Sequence, residues 1–323
     1  MIIRWDKLAS ELLRALRGRR SRAALARRLD TSPNVIYMWE KGARAPKASV
    51  LFKLAAAARV DVRGIAAVLA PADSVCRDFA HWQAEDTSRL LEVLTKQATT
   101  AHIAKVVGVD RSTVKRWRAG LSEPRLPELL LIVHAFSHRL IDWLDALVDA
   151  GKLMEVKVLH RAVEAQRDLA YAHPWSSAVL RALELKPCGT NQVAQIAQAI
   201  GQEPTNVRDC LRHLERAQQV RRIRGRWVAQ NVITVDTGTD PHGNLAQKRH
   251  WAEVAVKKLQ GFDGRGESLF SYNVVAVSSE DLQRIRQAHV AFFEQVRSIV
   301  AESRAADHVA LLNVQLVLLG ERS

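Results

Sequence analysis

The chain is poor in sulfur and in aromatic rings: its 323 residues include three cysteines, three methionines, three tyrosines and an aromatic content of 6%. Cys76, Cys188 and Cys210 stand far apart and match neither a disulfide framework nor a zinc-ligand spacing, which points to a reducing cytoplasm. Long apolar runs are missing as well. The opening "MIIRWDKLASELLRAL" carries charges in every apolar stretch and no apolar block before a small-residue cleavage site, so neither a secretion signal nor a membrane span is expected. Catalytic signatures are equally scarce, with no G-x-S-x-G, no H-E-x-x-H and no nuclease-type carboxylate pair. "GFDGRG" clusters glycines, but it lacks the preceding strand and following helix start of a phosphate loop and reads as a turn. His134 and His138 lie four apart on an expected helix with no third ligand nearby, so packing or surface roles are the better reading than a metal pair. No enzyme, cofactor or metal is therefore expected. The eight tryptophans fall at helix-core spacings rather than in a base-stacking cluster, which argues against single-stranded RNA.

What the chain does have is positive charge, unevenly spread. Lysine and arginine number 48 against 34 acidic residues, a net charge of +14. Residues 1–70 carry 15 Lys and Arg against 5 Asp and Glu, whereas residues 71–150 carry 10 against 11. The excess concentrates in "RALRGRRSRAALARR", Arg14 to Arg28. A locally basic stretch faces phosphate or anionic lipid. A membrane-surface helix would set Trp, Phe or Leu opposite its arginines; this stretch breaks at Gly18 and carries alanines instead. Nucleic acid is the favoured partner, with no membrane contact.

The chain also repeats itself. Residues 25–58 align with 103–136 without a gap, at a constant offset of 78. Ala26/Ala104, Trp39/Trp117, Gly42/Gly120, Pro46/Pro124, Leu51/Leu129 and Ala57/Ala135 are identical, and Leu25/Ile103, Leu29/Val107, Ile36/Val114 and Leu54/Ile132 stay apolar. Leu25 and Leu29, four apart, form the buried stripe of a short helix, and Ala26 permits a close helix crossing. Ser32 and Asp110 are helix-capping types, and Pro33 suits a first helical position. Ile36 with Trp39, and Val114 with Trp117, are expected to face inward. Gly42 and Gly120 sit where a helix must end with positive φ. The pattern is that of a helix-turn-helix, written twice, with the outward letters changed.

The strings "TSPNVIYMWEKGARAP" and "VDRSTVKRWRAGLSEP" resemble the lambda-repressor-like (Xre-type) DNA-binding family, over about 50 residues in each copy. The second copy departs at the acidic position, reading WRAG where the first reads WEKG. The fold places base-reading residues near the start of the inner helix: Pro33, Asn34, Tyr37 and Met38 in the first copy, Arg111, Ser112, Lys115 and Arg116 in the second. Arginine pairs bidentately with guanine, and asparagine with adenine. Arg14, Arg19, Arg20, Arg22, Lys41, Arg44 and Arg118 are the expected phosphate contacts.

After an expected linking helix over about 152–171, helical stripes at Leu180/Leu183, Val193/Ile196/Ile200 and Val207/Leu211/Leu214 precede "VRRIRGRWV", a hairpin pattern about a glycine. Three helices and a two-stranded hairpin make a winged helix, with Asn206, Arg208 and Arg212 on its third helix and Arg221, Arg222, Arg224 and Arg226 on its wing as possible DNA contacts. Further on, a helix over 245–260, a strand over 268–277, a long helix from Ser278 and a strand over 308–320 predict a small α/β unit with a two-stranded sheet. Such a sheet cannot cover its own apolar surface. Through "HPWSSAVLRAL", "GRWV", "NVVAVSSEDL" and the closing "VQL", this half resembles an uncharacterised bacterial winged-helix regulator family, a domain of unknown function common in myxobacteria; the resemblance implies a regulatory role and no particular ligand.

The expected fold is mainly α: helix-turn-helix bundles over 1–72 and 73–150, a linking helix over 151–171, a winged helix over 172–235 and a C-terminal α/β dimerisation or sensing domain over 236–323. The expected function is sequence-specific double-stranded DNA binding by a cytoplasmic, nucleoid-associated transcriptional regulator, a repressor in sense, that forms a homodimer through its C-terminal half. The alternative is a protein-interaction adaptor or antirepressor that uses the same modules without DNA.

Overall fold

The computed structural model describes residues 3–69, 84–96, 98–137, 139–230, 241–303 and 306–319. It is mainly helical and divides into two compact units, Met1–Arg161 and Ala162–Ser323. The expected boundaries near residues 72 and 235 lie outside the described residues.

The first unit opens with α1 (Trp5–Arg17), α2 (Arg22–Arg28), α3 (Pro33–Lys41), α4 (Ala48–Ala57) and α5 (Val62–Leu69). It continues with α6 (Ala84–Leu94), α7 (Thr100–Val107), α8 (Arg111–Arg118), α9 (Leu126–Ile132) and α10 (Leu140–Leu147). The offset of 78 carries each of the first five helices onto one of the second five, so the repeat extends well beyond residues 25–58. Local chemistry explains the shared starts and stops. The Ser21 hydroxyl accepts from the Ala24 amide at 3.1 Å, and the Thr99 hydroxyl, 78 residues on, accepts from His102 at 3.2 Å. Ser32 caps α3 by accepting from Val35 at 3.3 Å, with Pro33 in the first turn. Gly42 and Gly120 close α3 and α8 at φ of 77° and 70°, a left-handed turn that other residues adopt at a cost.

Leu25, Ala26 and Ile36 are buried, as are Ile103, Ala104 and Val114. The tryptophans share a register and differ in depth. Trp117 is 4% exposed, whereas Trp39 is only half-buried, lining a small cleft with Leu13, Leu25, Leu29, Ile36 and Leu54.

The two sets of helices are joined reciprocally. The Ala48 amide donates to the Pro124 carbonyl at 2.9 Å, and the Leu126 amide donates to the Pro46 carbonyl at 2.9 Å, on either side of a bridge between Lys47 and Arg125. Residues 124 and 126 are the repeat partners of 46 and 48, so each copy offers the other the same donor and the same acceptor. Copies related by translation cannot do this; copies related by a two-fold rotation must. Helix packing follows the same rule, with α1 against α9, α6 against α4, and α5 against its own counterpart α10. One contact breaks the symmetry. Ser49 donates through its amide and hydroxyl to the Glu123 carboxylate at 2.8 and 2.9 Å. The Arg125 guanidinium donates to the Ala45 carbonyl at 2.9 Å, at the place where its repeat partner Lys47 lies 3.8 Å from the carboxylate of Glu123, the partner of Ala45.

The helix α11 (Lys157–Ala172) contains the division between the units. The second unit then builds α12 (Ser176–Leu185), β1 (Cys188–Gly189), α13 (Val193–Ala199), α14 (Pro204–Arg216), β2 (Val220–Ile223) and β3 (Arg226–Ala229). Its sheet is antiparallel with order β1-β3-β2, and Cys188 pairs with Trp227. The hairpin expected at this place therefore has a third, two-residue strand. Val179, Val193, Val207, Leu211 and Trp227 form the core beneath it. Arg224 and Gly225 turn the hairpin at φ of 49° and 74°, the pair of positive values that a tight type I′ connection requires. Farther along, α15 (Pro241–Gln260) starts against Tyr171: a Cβ on Gly243 would lie 2.2 Å from that ring, so only glycine fits.

One expectation fails. The helix α16 (Ser279–Glu302) forms, with the Ser278 hydroxyl accepting from the Asp281 amide at 3.0 Å. Its flanking segments, 268–277 and 308–319, carry no ladder hydrogen bonds and are not strands, so the C-terminal α/β unit with a two-stranded sheet is absent among the described residues. Preference for a strand is largely preference for a pleated, half-buried surface. Here no such surface is supplied: Leu269 is 94% exposed and Tyr272 92%.

Replacing Trp117 with alanine should lower the stability of the first unit by about 3–5 kcal/mol, the usual range for emptying a buried aromatic site. Trp39→Ala should cost clearly less. Urea denaturation of both variants checks the difference.

Candidate nucleic-acid interface

The helices α3 and α8 turn one face into their bundles through Ile36 and Val114, and the other face to solvent. On α3, Pro33, Asn34 and Tyr37 are exposed and Met38 is half-buried. The Tyr37 ring is flanked by the Arg22 guanidinium at 5.1 Å and the Lys41 ammonium at 5.7 Å. That arrangement holds the ring and concentrates positive charge beside it. On α8, Arg111, Ser112, Lys115 and Arg116 are all exposed. Each expected base-reading residue therefore lies on the outer side of an inner helix. Chemically the two faces differ: one offers an amide, a phenol and a thioether, the other three cations and a hydroxyl.

The expected phosphate contacts divide into two groups. Arg19, Lys41 and Arg44 are exposed. Arg14 is exposed but gives a hydrogen bond to the Glu40 carbonyl at 3.0 Å, and Arg20 is half-exposed with a weak bond to the Arg17 carbonyl. Arg22 binds the buried Glu40 carboxylate at 2.7 Å, alongside Arg17. Burial alone would raise the Glu40 pKa, but hydrogen bonds from Arg17 and Arg22 overcome it and hold the carboxyl below its ordinary value. Arg118 differs from expectation outright. Its guanidinium turns inward and donates to the Thr95 carbonyl at 2.8 Å, the Thr95 hydroxyl at 2.9 Å and the Ala98 carbonyl at 3.0 Å.

Glu40 and Arg118 are repeat partners, and so are Arg17 and Thr95. In the first copy a cation on the first helix reaches an anion on the third; in the second, a cation on the third reaches carbonyls after the first. The same brace is kept with its charge moved to the other end. Sequence reading missed Arg17, Glu40 and Thr95 as supports of the inner helices. Extending the repeat back to residue 17 would have paired the WEKG/WRAG departure with the Arg17/Thr95 change.

In the second unit, Asn206, Arg208 and Arg212 lie exposed on α14, and Arg221, Arg222, Arg224 and Arg226 lie exposed on the hairpin. Arg212 is paired with Asp209. Arg222 lies 3.8 Å from Glu215 and stacks over Trp227 at 4.4 Å from the ring centre. Among the described residues, the side chains of Arg208, Arg221, Arg224 and Arg226 have no hydrogen-bond or ion-pair partner and form a basic rim. The Cys210 thiol, buried in the core, is pushed up to about 12, and burial raises Cys188 too, so neither is a ready nucleophile. No group of His, Cys, Asp and Glu among the described residues could hold a metal ion, and no described helix is long and apolar enough to cross a membrane.

A capped helix pair with an exposed inner helix defines a helix-turn-helix, and residues 13–65 match the family described as Helix-turn-helix. Residues 152–319, just over half of the chain, match the family described as Domain of unknown function (DUF4423). The chain belongs to that family. No curated protein and no solved structure matches it.

Because Glu40 has a lowered pKa in the fold, its contribution is complete above about pH 4.5, its ordinary value, and is lost as pH falls below it. Glu155 acts in the same direction, held at about 2 chiefly by hydrogen bonds from Arg4 and Lys7. Glu40→Gln should destabilise the first unit by about 2–3 kcal/mol at neutral pH, by leaving Arg17 short of a charged acceptor. It should also flatten part of the acid limb in a plot of urea midpoint against pH.

Proposed function

We propose that this protein is a transcriptional regulator that binds double-stranded DNA sequence-specifically through both inner helices, α3 and α8. One observation carries the reading: two matched scaffolds hold outward, on the same helix, side chains that are chemically suited to base edges and differ between the copies. Had the repeat been kept only for packing, there would be no reason to brace these helices at Glu40 and Arg118 while leaving Asn34, Arg111 and Arg116 exposed. Arg19, Lys41 and Arg44 supply phosphate contacts that set the register. The three helices and hairpin of the α12–β3 region support reading it as a winged helix, whose basic rim offers a further backbone contact. Repression is the simplest output, because occupancy of a promoter is sufficient for it. The reading includes no catalytic step and places the protein in the cytoplasm, associated with the nucleoid.

The C-terminal segments support a homodimer. Val274, Val275 and Val277, with Val309, Leu311 and Val314, are exposed on chain that lacks a pairing surface. A second copy presents the same unpaired segments and could complete with them the sheet that one chain does not form. That same exposure is what favours the rival reading, a protein-interaction adaptor without DNA.

Duplex binding should weaken by about 10³ between 50 and 200 mM salt if about six phosphates are neutralised. A mobility shift titrated with salt measures this, and flat affinity would refute the reading. Arg116→Ala should change base preference while leaving the melting temperature nearly intact. Light scattering should give the mass of two chains at micromolar concentration, and a monomer would refute the dimer.

A further inference from the structure

The way the two helix sets are joined says how a DNA site for this chain must be laid out. The Ala48–Pro124 and Leu126–Pro46 bonds, both 2.9 Å, are one contact made twice in opposite directions. The cross-packing of α1 on α9 and α6 on α4, and the pairing of α5 with α10, repeat that reversal. Ten helices thus obey one approximate two-fold axis, passing through the Lys47–Arg125 bridge. A two-fold rotation leaves any direction's component along its axis unchanged. The outer faces of α3 and α8 therefore have equal components along that axis, and across it the two helices run in opposite directions.

Resting on the DNA reading above, we infer that a single chain recognises a bipartite duplex site whose two halves lie head to head but are unlike in sequence. The inversion follows from the two-fold join, because a symmetric protein meets the local dyad of the duplex. The unlikeness follows from the side chains. Asn34 suits adenine, with Tyr37 and Met38 offering apolar contact beside it, whereas Arg111 and Arg116 suit guanine. A homodimer of one-copy chains would need a palindrome to achieve the same grip. Here the second copy is covalently present, and the palindrome is not needed. Both halves must face the same side of the duplex, so their centres fall whole helical turns apart, in multiples of about 10 bp.

Selection of bound sequences from a random duplex library by the full chain tests this. The unaltered protein should enrich two unlike blocks at one fixed spacing. Asn34→Ala should blur one block and Arg116→Ala the other. The decisive variant carries the second copy's letters on the first: Pro33→Arg, Asn34→Ser, Tyr37→Lys and Met38→Arg together. All four positions lie on the outer side of α3, Met38 least exposed, and the melting temperature verifies that the fold is kept. This protein should select a palindrome built from the block that Arg116 reads. The reverse graft (Arg111→Pro, Ser112→Asn, Lys115→Tyr and Arg116→Met) should select a palindrome of the other block. A direct repeat, a single block, or no enrichment by either folded graft overturns the inference while leaving DNA binding intact. Failure of the unaltered chain to enrich anything overturns the DNA reading itself, and the inference with it.

Discussion

Two backbone hydrogen bonds, from Ala48 to Pro124 and from Leu126 to Pro46, fix how everything else in the first unit is placed. Each joins the short extended stretch before one copy's fourth helix to the same stretch of the other. Proline at 46 and 124 suits this place twice over. It cannot extend the preceding helix, and its carbonyl is left free to accept. With that stretch pinned, α4 and α9 start side by side, and α1, α6, α5 and α10 close around them. The inner helices α3 and α8 stay at the periphery because the centre is filled by others, with Trp143 fully buried there and meeting Phe52 edge-on.

Much of the first unit was legible because the repeat filters the sequence. Positions that stay apolar or glycine under the offset of 78 are packing or turn positions; positions that change freely are at the surface. That logic found both inner helices, with Ser32 and Asp110 at their starts, and both terminating glycines, and it missed Ser21 and Thr99, which cap the helices before them. It failed for Arg118, because a lone arginine beside exposed ones carries no mark of turning inward; only its partner position, Thr95, reveals it. It failed in depth for Trp39, since identity of residue type says which way a side chain leans and not how completely its neighbours cover it. The two-fold join was beyond reach, because a backbone amide and a proline carbonyl leave no pattern that distinguishes pairing between copies from pairing within one.

The second unit shows the opposite balance. Helical stripes at Val207, Leu211 and Leu214 and the basic hairpin translated directly into α14, β2 and β3. Two residues, Cys188 and Gly189, are too few to show alternation, so β1 was invisible. The segments about 268–277 and 308–319 look like strands by composition and are not, because the ladder depends on a second surface that one chain does not provide. Membership of a domain family of unknown function matches the extent of this half and leaves its chemistry to be argued from the basic rim and the exposed valines.

The bond pair from Ser49 to Glu123 has a consequence for who may associate with whom. The repeat partner of Ser49 is Pro127, which has neither hydroxyl nor amide hydrogen, and the partner of Glu123 is Ala45, which has no carboxylate. Were two first copies from different molecules to meet in this manner, Ser49 would find only a methyl group. Were two second copies to meet, each glutamate would lose both Ser49 donors and face a proline, keeping only a cation, Arg125, where Lys47 now lies 3.8 Å away. The unlike match satisfies both sides, and it is available within the same polypeptide at high effective concentration. Growth of open chains of molecules through this surface is thereby disfavoured, and the two halves remain each other's preferred mate.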